Sequence, residues 1–572
     1  MGRLKKYLQP YLGFMLLTML IKLAGTVTEL MIPELMETMV DEKVPQGDGR
    51  SIYLYGGGML LCAFLCLVLN VLANRMSAIS SGKITKAVRH DLFCKLEQLS
   101  ARQMDELTVS SAESRLTSDT YNINQMLARL QRMGVRAPML LIGGIVMMLR
   151  MDAVLALVLV ALLPVIAVVV YFVTKKSLPL YTKQQTILDK VVRTVQENIT
   201  GIRVIKALSK TDYEKQRFHK VNTELTETDQ KAGTVSAITN PTASLTLNLG
   251  LTLVVLIGAF RVNAGEIKPG VILAFLQYFT MILNAMLGVT RIFVMWSKGE
   301  ASAKRVADVL ETPADLAVLP AAQPEENAPH IEFRNVSFSY TGIGKNTDDL
   351  SFRLEKGQTL GILGPTGSGK TTILNLLMRI YDPDAGQVLI DGQDVRAIPY
   401  GQLRQKFGVV FQNDFVLEGS IADNLRFFRN LSEEELAAAA GHAQADFIAT
   451  KEGGMDAEVQ VRGNNLSGGQ KQRLLIGRAL AGDPEILVLD DASSALDYRT
   501  DAKLRQALRQ HYRHTTTVLV AQRISSLRHA DLILVLQEGS VIGMGKHEEL
   551  MQTCEEYAYL AQIQMGDSQE VG

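Results

Sequence analysis

Residues 364–372 read GPTGSGKTT, follow the apolar run 359–363 and precede a stretch, 373–379, with helical periodicity. The spacing G-x-x-x-x-G-K-T is typical of a P-loop. Glycines at this spacing let the backbone curl until successive N–H groups point at phosphate oxygens, and a following helix adds the positive end of its dipole. The sequence therefore predicts a phosphate-binding loop between a strand and a helix, with a glycine-rich turn that binds no ligand as the alternative.

The side chains of this loop have separate expected roles. Lys370 is expected to reach the β and γ phosphates of a nucleotide, and the hydroxyl of Thr371 is the expected Mg²⁺ ligand. The other loop residues that we assign to nucleotide binding are Gly364, Thr366, Gly367, Ser368, Gly369 and Thr372. A nucleotide with Mg²⁺ is therefore the predicted ligand.

Composition points to a membrane protein of more than one domain. The chain has 572 residues, 47% of them hydrophobic, and a mean hydropathy of +0.12, which is high for a soluble protein. Lys and Arg total 59, as do Asp and Glu, so no basic excess favours nucleic acid as a partner. The four cysteines form neither a CxxC pair nor a Cys/His cluster, which argues against a metal site of that kind and a disulfide framework.

Six apolar segments precede residue 300, and each approaches the roughly 20 residues that a bilayer-spanning helix needs. They cover residues 11–31, 52–72, 135–151, 153–173, 242–262 and 271–294, with a tight hairpin between the third and fourth. Basic residues concentrate in the two long connections, 73–134 and 174–241, whereas the first short connection is acidic. This bias predicts that both long connections and both termini are cytoplasmic. Helical periodicity in the long connections indicates that the membrane helices continue into the cytoplasm.

Two charged residues fall inside the first apolar segment. Lys22 and Glu29 are seven residues apart, which places them on nearly the same helix face. An intramembrane charge is costly unless it faces protein or water, so the pair could line a polar cavity or contact substrate. Hydrogen bonding between helices is an equally good explanation, and we assign neither residue to a site.

The composition changes after residue 310. Residues 311–329 are rich in Pro, Ala and Glu and are predicted to form a linker. Beyond them, short apolar runs alternate with amphipathic stretches, which predicts the buried parallel strands of an α/β domain. These runs are residues 361–363, 486–489, 517–521 and 532–536. The predicted order is an all-α six-helix transmembrane domain over 1–310, the linker, a P-loop nucleotide-binding domain over 330–565 and a tail over 566–572.

Two further motifs identify the family. The run 486–490 ends in Asp490, as expected of a Walker B strand whose carboxylate helps to hold Mg²⁺. Between this run and the P-loop, residues 466–470 read LSGGQ. With these motifs the chain resembles one half of an ATP-binding cassette (ABC) transporter of the exporter type, in which six transmembrane helices are fused to one nucleotide-binding domain. The resemblance implies ATP as the nucleotide, and the six spans exclude a soluble ABC-type ATPase of nucleic-acid repair.

The resemblance also implies roles for other residues. Tyr340 matches the aromatic residue that stacks on adenine, Gln412 the Q-loop glutamine that contacts Mg²⁺, and Asp497 the D-loop aspartate. In this family two nucleotide-binding domains face each other head to tail, so the signature of one chain acts on ATP held by its partner. The signature residues here are Ser467, Gly468, Gly469 and Gln470. The segments around 111–120 and 206–218 resemble the coupling helices that rest on the nucleotide-binding domains.

Three positions depart from the family pattern. Asp491 stands where the family has a catalytic Glu, Gln522 replaces the switch His, and Val461 replaces a Glu before the signature. Because the other motifs are intact, the chain resembles the degenerate-site subunit of a bacterial heterodimeric exporter. Such a subunit works in the cytoplasmic membrane with a related half-transporter that supplies the catalytic Glu and the switch His. The remaining alternatives are a homodimeric exporter, transport inward, and a nucleotide-gated channel or sensor; the substrate could be a drug, lipid or peptide.

Overall fold

The computed structural model describes residues 2–316, 318–320, 327–342 and 344–566. The chain divides into two compact units, one formed by Met1–Glu97 with Val109–Thr312 and the other by Gln98–Thr108 with Pro313–Gly572. The predicted tail beyond residue 566 lies outside the described residues, as do residues 317 and 321–326 of the predicted linker.

Unit 1 is helical. Its long helices are α1 (Leu12–Thr38), α2 (Gly49–Glu97), α3 (Thr120–Met151), α4 (Ala153–Thr200), α5 (Thr211–Ala237), α6 (Thr239–Asn263) and α7 (Pro269–Leu310). Shorter helices cover Lys5–Leu8, Val109–Ser114 and Ile202–Ala207. Within the described residues, six helical segments are long and apolar enough to cross a membrane, which confirms the predicted number. With 49 residues, α2 is about 74 Å long, more than twice a bilayer core, so it extends well beyond the membrane as predicted.

The predicted hairpin between the third and fourth spans turns at Asp152. Its carboxylate accepts a hydrogen bond from the backbone N–H of Leu155 at 2.8 Å and so caps the start of α4. The second carboxylate oxygen of Asp152 pairs with Arg261 of α6 at 2.9 Å. One acidic residue therefore ends α3, starts α4 and ties both to α6.

Unit 2 is an α/β domain. Its strands are β1 (Ile331–Phe338), β2 (Thr347–Leu354), β3 (Thr359–Leu363), β4 (Ala385–Ile390), β5 (Gln393–Asp394), β6 (Phe407–Val410), β7 (Gly419–Ser420), β8 (Glu458–Val459), β9 (Ile486–Asp490), β10 (Thr516–Val520), β11 (Leu532–Gln537) and β12 (Ser540–Gly545). The described residues form a six-stranded sheet in the order β12-β11-β3-β10-β9-β6, a four-stranded sheet in the order β2-β1-β4-β5, and the pair β7-β8. Strands β11, β3, β10, β9 and β6 are parallel, which confirms the four predicted strands.

Helices cover the central sheet because its strands are apolar on both faces. The helices of unit 2 are Ala101–Leu107, Lys370–Leu377, Tyr400–Gln405, Ile421–Arg426, Glu433–His442, Phe447–Thr450, Gly468–Leu480, Tyr498–His511, Ile524–Leu527, His547–Thr553 and Glu555–Gly566. Ile362, Val488 and Val518 are buried in one apolar core with the first turns of the helix that follows the P-loop. This packing fixes the carboxyl ends of β3, β9 and β10 side by side.

The first predicted coupling segment lies beside a boundary between the two units. The segment that groups with unit 2 is Gln98–Thr108, whereas residues 111–120 belong to unit 1. Ser100 caps the short helix Ala101–Leu107 and donates a hydrogen bond to Asp315 at 2.6 Å, and Tyr381 donates one to Asp105 at 2.6 Å. Residues 111–120 thus lie next to the segment that groups with unit 2 and not within it, and their coupling role stays a prediction. The capping box at Ser100 and Gln103 is the local signal for the helix Ala101–Leu107. Residues 206–218 also group with unit 1, and their coupling role stays a prediction.

Candidate functional site

A cavity of about 270 Å³ opens at the carboxyl ends of β3, β9 and β10. Its lining residues are Tyr340, Asn346, Thr366, Gly367, Gly369, Lys370, Thr371, Thr372, Gln412, Asp490, Asp491, Val520 and Gln522. Most of the residues predicted to bind nucleotide and metal therefore line one space. Gly364 and Ser368 belong to the same loop but do not line the cavity, and the signature residues and Asp497 lie elsewhere on unit 2.

The loop takes its shape from glycines at two left-handed positions. Gly367 has φ +85° and Gly369 has φ +101°. Residues with a side chain rarely adopt backbone conformations in this region. At Gly369 an added Cβ would lie 2.5 Å from the carbonyl oxygen of Asn346, so the close approach of these two backbones also requires glycine. The helix Lys370–Leu377 begins directly afterwards and turns its N-terminus toward the cavity.

Lys370 folds over this loop. Its ammonium donates hydrogen bonds to the carbonyl oxygens of Gly364 at 2.8 Å and Pro365 at 2.7 Å. Burial lowers the pKa of Lys370, and the nearby carboxylates of Asp490 and Asp491 oppose that shift. Lys370 thus places a positive charge beside the loop N–H groups, which suits a polyphosphate.

Thr371 and Asp490 bring oxygen atoms together in the same cavity. The hydroxyl of Thr371 donates a hydrogen bond to Oδ2 of Asp490 at 3.1 Å. Burial raises the pKa of Asp490, although the bond from Thr371 opposes the shift. Gln412 lines the same cavity, so hydroxyl, carboxylate and amide oxygens are available. Oxygen donors of this kind fit Mg²⁺, which is usually bound by one or two protein ligands together with substrate phosphates.

The two unusual residues of the site contact each other. Gln522 Nε2 donates a hydrogen bond to Asp491 Oδ2 at 3.3 Å, and both residues line the cavity next to Lys370. Asp491 has φ +52°, so its backbone turns sharply as it leaves β9. Burial raises the pKa of Asp491, while Lys370 and Arg523 oppose the shift.

Tyr340 lines the cavity, and hydrogen bonds fix both its hydroxyl and its backbone N–H. Its hydroxyl accepts a hydrogen bond from Asn375 at 3.0 Å, and its backbone N–H donates one to Asn346 Oδ1 at 3.1 Å. Its ring meets those of Phe338 and Tyr381 edge to face, with centroids 4.9 and 5.1 Å away. The exposed remainder of the ring provides an apolar surface on which a flat base can stack.

Sequence analysis missed two residues of this cavity. Asn346 orients Tyr340 and approaches Gly369, yet it lies in a turn without a motif of its own. Val520 is the last residue of β10 and lines the cavity because β10 lies between β3 and β9. The order of the strands would have been the signal for Val520, and that order is a tertiary property.

Comparisons with known proteins cover both units. Residues 15–286 match the family model described as ABC transporter transmembrane region, and residues 347–494 match the model described as ABC transporter. An uncharacterized ABC transporter ATP-binding protein of Mycobacterium tuberculosis (strain H37Rv) is 32% identical over 569 residues, which cover 98% of this chain and 97% of the relative. The chain belongs to the ABC exporter family.

Further relatives of this ABC exporter half agree with that assignment. A solved structure described as a bacterial Atm1-family ABC exporter with ATP bound is 26% identical in sequence and has a TM-score of 0.81. The match covers 97% of this chain and 98% of the chain in that structure. A protein of Mycobacterium bovis named fatty acid ABC transporter ATP-binding/permease protein is 32% identical over 503 residues. These residues cover 86% of this chain and 78% of the relative. The chain is thus a multi-pass membrane protein with an ATP-binding, ATP-hydrolysing domain.

The signature of this ABC exporter half lies at the start of the helix Gly468–Leu480. Ser467 caps that helix: its hydroxyl accepts from the N–H of Gln470 at 3.3 Å, and the Gln470 side chain accepts from the N–H of Ser467 at 3.1 Å. At Gly469 an added Cβ would lie 3.2 Å from the carbonyl oxygen of Ala495. Asp497 caps the helix Tyr498–His511 through Thr500. That these residues act on ATP bound by a partner remains a prediction.

Proposed function

We propose that this chain is one half of a heterodimeric exporter in a bacterial cytoplasmic membrane, and that its own P-loop site binds Mg²⁺ and ATP but hydrolyses ATP slowly. The observation that supports this most strongly is the contact between Asp491 and Gln522 in the cavity that holds the P-loop. The partner is a related half-transporter with a catalytic Glu and a switch His. The N- and C-termini lie in the cytoplasm.

Asp491 and Gln522 support the proposed slow hydrolysis for two reasons. The carboxylate of Asp491 is one methylene shorter than that of Glu, and Gln522 engages one of its oxygens at 3.3 Å. Misplacement of a catalytic group by about an ångström can reduce rate on the order of a hundredfold. In addition, Gln522 can hydrogen-bond a phosphate but cannot become cationic or relay a proton as His can.

The rest of the site favours binding. Lys370, Thr371 and Asp490 retain the arrangement that suits a triphosphate with Mg²⁺, and Tyr340 offers a fixed ring for the base. The capped helix that begins at Gly468 presents backbone N–H groups that could bind the γ-phosphate of ATP held by the partner. The chain would then complete the hydrolytic site of the partner while its own site mainly holds ATP.

ATPase measurements test this proposal. Purified alone, the chain should bind ATP and turn it over little. In the assembled complex, removal of the partner's catalytic Glu should abolish turnover, whereas Asp491→Asn in this chain should change it little. Robust turnover by a homodimer of this chain would contradict the heterodimer proposal and would favour a homodimeric exporter that tolerates Asp491 and Gln522.

The transported substrate remains a small molecule, lipid or peptide. The M. bovis relative named as a fatty acid ABC transporter adds amphiphilic carboxylates to the candidates. Flux measured in vesicles of known orientation would separate export from import.

A further inference from the structure

The C-terminal helix, Glu555–Gly566, packs against the short helix Ile524–Leu527. Tyr557 and Ala561 of the C-terminal helix are buried in one apolar core with that short helix. Positions 557, 561 and 564 are spaced i, i+4 and i+7, so Gln564 lies on the same face of the C-terminal helix, one turn beyond the core. The packing therefore directs Gln564 toward the connection that precedes the short helix.

That connection, residues 521–523 between β10 and the short helix, is called the switch loop below. Gln564 makes two hydrogen bonds to the backbone of this region. Its Oε1 accepts from the N–H of Ile524 at 2.8 Å, and its Nε2 donates to the carbonyl oxygen of Gln522 at 3.1 Å. The two bonded groups belong to successive peptide units on either side of Arg523. One side chain therefore fixes the backbone of the loop on both sides of this residue.

The bond to Ile524 replaces a local helix cap. Ile524 is the first residue of the short helix, where a backbone N–H has no partner within the helix. Arg523 occupies the N-cap position, and its side chain has no acceptor atom with which to bind that N–H. Gln564 supplies the acceptor from 40 residues further along the chain. The conformation of the switch loop therefore depends on the C-terminal helix.

The space beside the switch loop is open. A cavity of about 470 Å³ lies between the P-loop and the C-terminal helix, and Lys370, Gln522 and Gln564 line it. Atoms that face a cavity have no packing partners on that side, so they gain no van der Waals contacts there. The hydrogen bonds from Gln564 thus carry a larger share of the positioning of Gln522 than they would in a filled core.

The backbone position of Gln522 decides what its side chain can reach. The amide nitrogen of Gln522 carries two N–H donors. One donor is directed at Oδ2 of Asp491 at 3.3 Å, and the second can bond the γ-phosphate of a nucleotide held beside Lys370 in the same cavity. Because ADP lacks a γ-phosphate, the affinity for ATP depends on this donor and the affinity for ADP does not.

We propose that Gln564 is a positioning residue of the nucleotide site. Through the backbone of the switch loop it holds the amide of Gln522 where that amide distinguishes ATP from ADP. The C-terminal helix is thereby a working part of the ATP site, although Gln564 does not line the nucleotide cavity. This inference rests on the proposed binding of ATP at this P-loop.

Equilibrium binding to the full-length chain in nanodiscs tests the role of Gln564. The probes are AMP-PNP, an ATP analogue that is not hydrolysed, and ADP, each titrated with Mg²⁺ by isothermal calorimetry. Gln564→Met keeps the length of the side chain and its tendency to form a helix but removes both hydrogen bonds. We expect it to weaken AMP-PNP binding by about fivefold and to leave ADP binding unchanged. Gln562→Met, the same change at an exposed position of the same helix, is the matched control and should alter neither affinity.

A second comparison shows whether Gln564 acts through Gln522. Gln522→Ala should also weaken AMP-PNP binding by about fivefold and leave ADP binding unchanged, because it removes the donor to the γ-phosphate. Addition of Gln564→Met to Gln522→Ala should cause no further loss, since the side chain that Gln564 positions is then absent.

Each outcome decides the inference. Equal losses for AMP-PNP and ADP in Gln564→Met would show a purely structural contact and would overturn it. A further loss when Gln564→Met is added to Gln522→Ala would overturn it as well, because Gln564 would then act by another route. If the wild type binds both nucleotides and Gln564→Met binds them equally well, the role of Gln564 alone is overturned. A wild-type chain that binds neither nucleotide would overturn the proposed ATP site together with this inference.

Discussion

Gln522 donates a hydrogen bond from Nε2 to Oδ2 of Asp491 at 3.3 Å, and the two residues follow the neighbouring parallel strands β10 and β9. The register of these strands places Val520 beside Asp490, so the residues just beyond both ends converge over the P-loop. The two departures from the family pattern therefore form one local arrangement, and they should be changed together.

We predict that Asp491→Glu combined with Gln522→His raises ATP turnover of the purified chain by about ten- to a hundredfold. The longer carboxylate can reach the attacking water, the imidazole can carry charge, and the intact signature completes the site in a homodimer. Turnover is measured as phosphate release by the full-length chain in nanodiscs. Addition of Asp490→Asn to the double variant should remove the gain, and a double variant no faster than the wild type would contradict this role for the pair.

A second prediction concerns Lys370. Its ammonium is the cation closest to the loop carbonyl oxygens of Gly364 and Pro365, so Lys370→Ala should weaken ATP binding by about a hundredfold. The measurement is titration of the full-length chain with a fluorescent ATP analogue. Lys356→Ala, in the exposed turn between β2 and β3, should bind as the wild type does. Equal losses in both variants would indicate a general effect of charge on the domain.

The sequence predicted the parts of this site that depend on local signals. Glycines at fixed spacing specify the turn from β3 into the helix at Lys370, and an apolar run that ends in Asp490 specifies β9. Contacts that depend on the packing of distant segments were not predictable in this way. The approach of Asn346 to Gly369 and the meeting of Asp491 with Gln522 require the strand order, which periodicity does not reveal.

The third prediction concerns pH and Glu332. This buried carboxylate accepts hydrogen bonds from Arg334 and Arg353 at 2.7 Å each, and those bonds hold its pKa below the usual value although burial opposes the shift. A carboxylate with a lowered pKa in the folded state stabilises the protein above its unfolded pKa of about 4.3, and this contribution is lost as pH falls through the lower folded value.

Glu332→Gln should therefore reduce the free energy of unfolding by about 1–2 kcal/mol at neutral pH, and the deficit should shrink below about pH 4. Thermal unfolding of the full-length chain, followed by circular dichroism at several pH values, measures the difference. The exposed change Glu355→Gln is the control and should show no deficit at any pH. A deficit for Glu332→Gln that stays constant from pH 7 to acid would show that the ionised form contributes nothing.

The last prediction concerns the bond from Tyr381 to Asp105, which holds residues 98–108 in unit 2. Burial, together with this bond, raises the pKa of Tyr381, so the phenol stays protonated and can donate at neutral pH. The segment is continuous in sequence with α2 on one side and with the helix Val109–Ser114 on the other, both in unit 1. The segment therefore connects unit 2 to unit 1 at both of its ends along the chain.

Asp105→Ala and Tyr381→Phe should each raise amide hydrogen exchange in residues 98–108 by about fivefold, because an exposed bond of this kind contributes about 1 kcal/mol to closing the segment. The double variant should exchange no faster than either single variant, since both remove the same interaction. Additive effects would show that the two residues hold the segment independently. Exchange in the helix Gly468–Leu480 of the same samples should stay unchanged, which separates opening of the segment from unfolding of the domain.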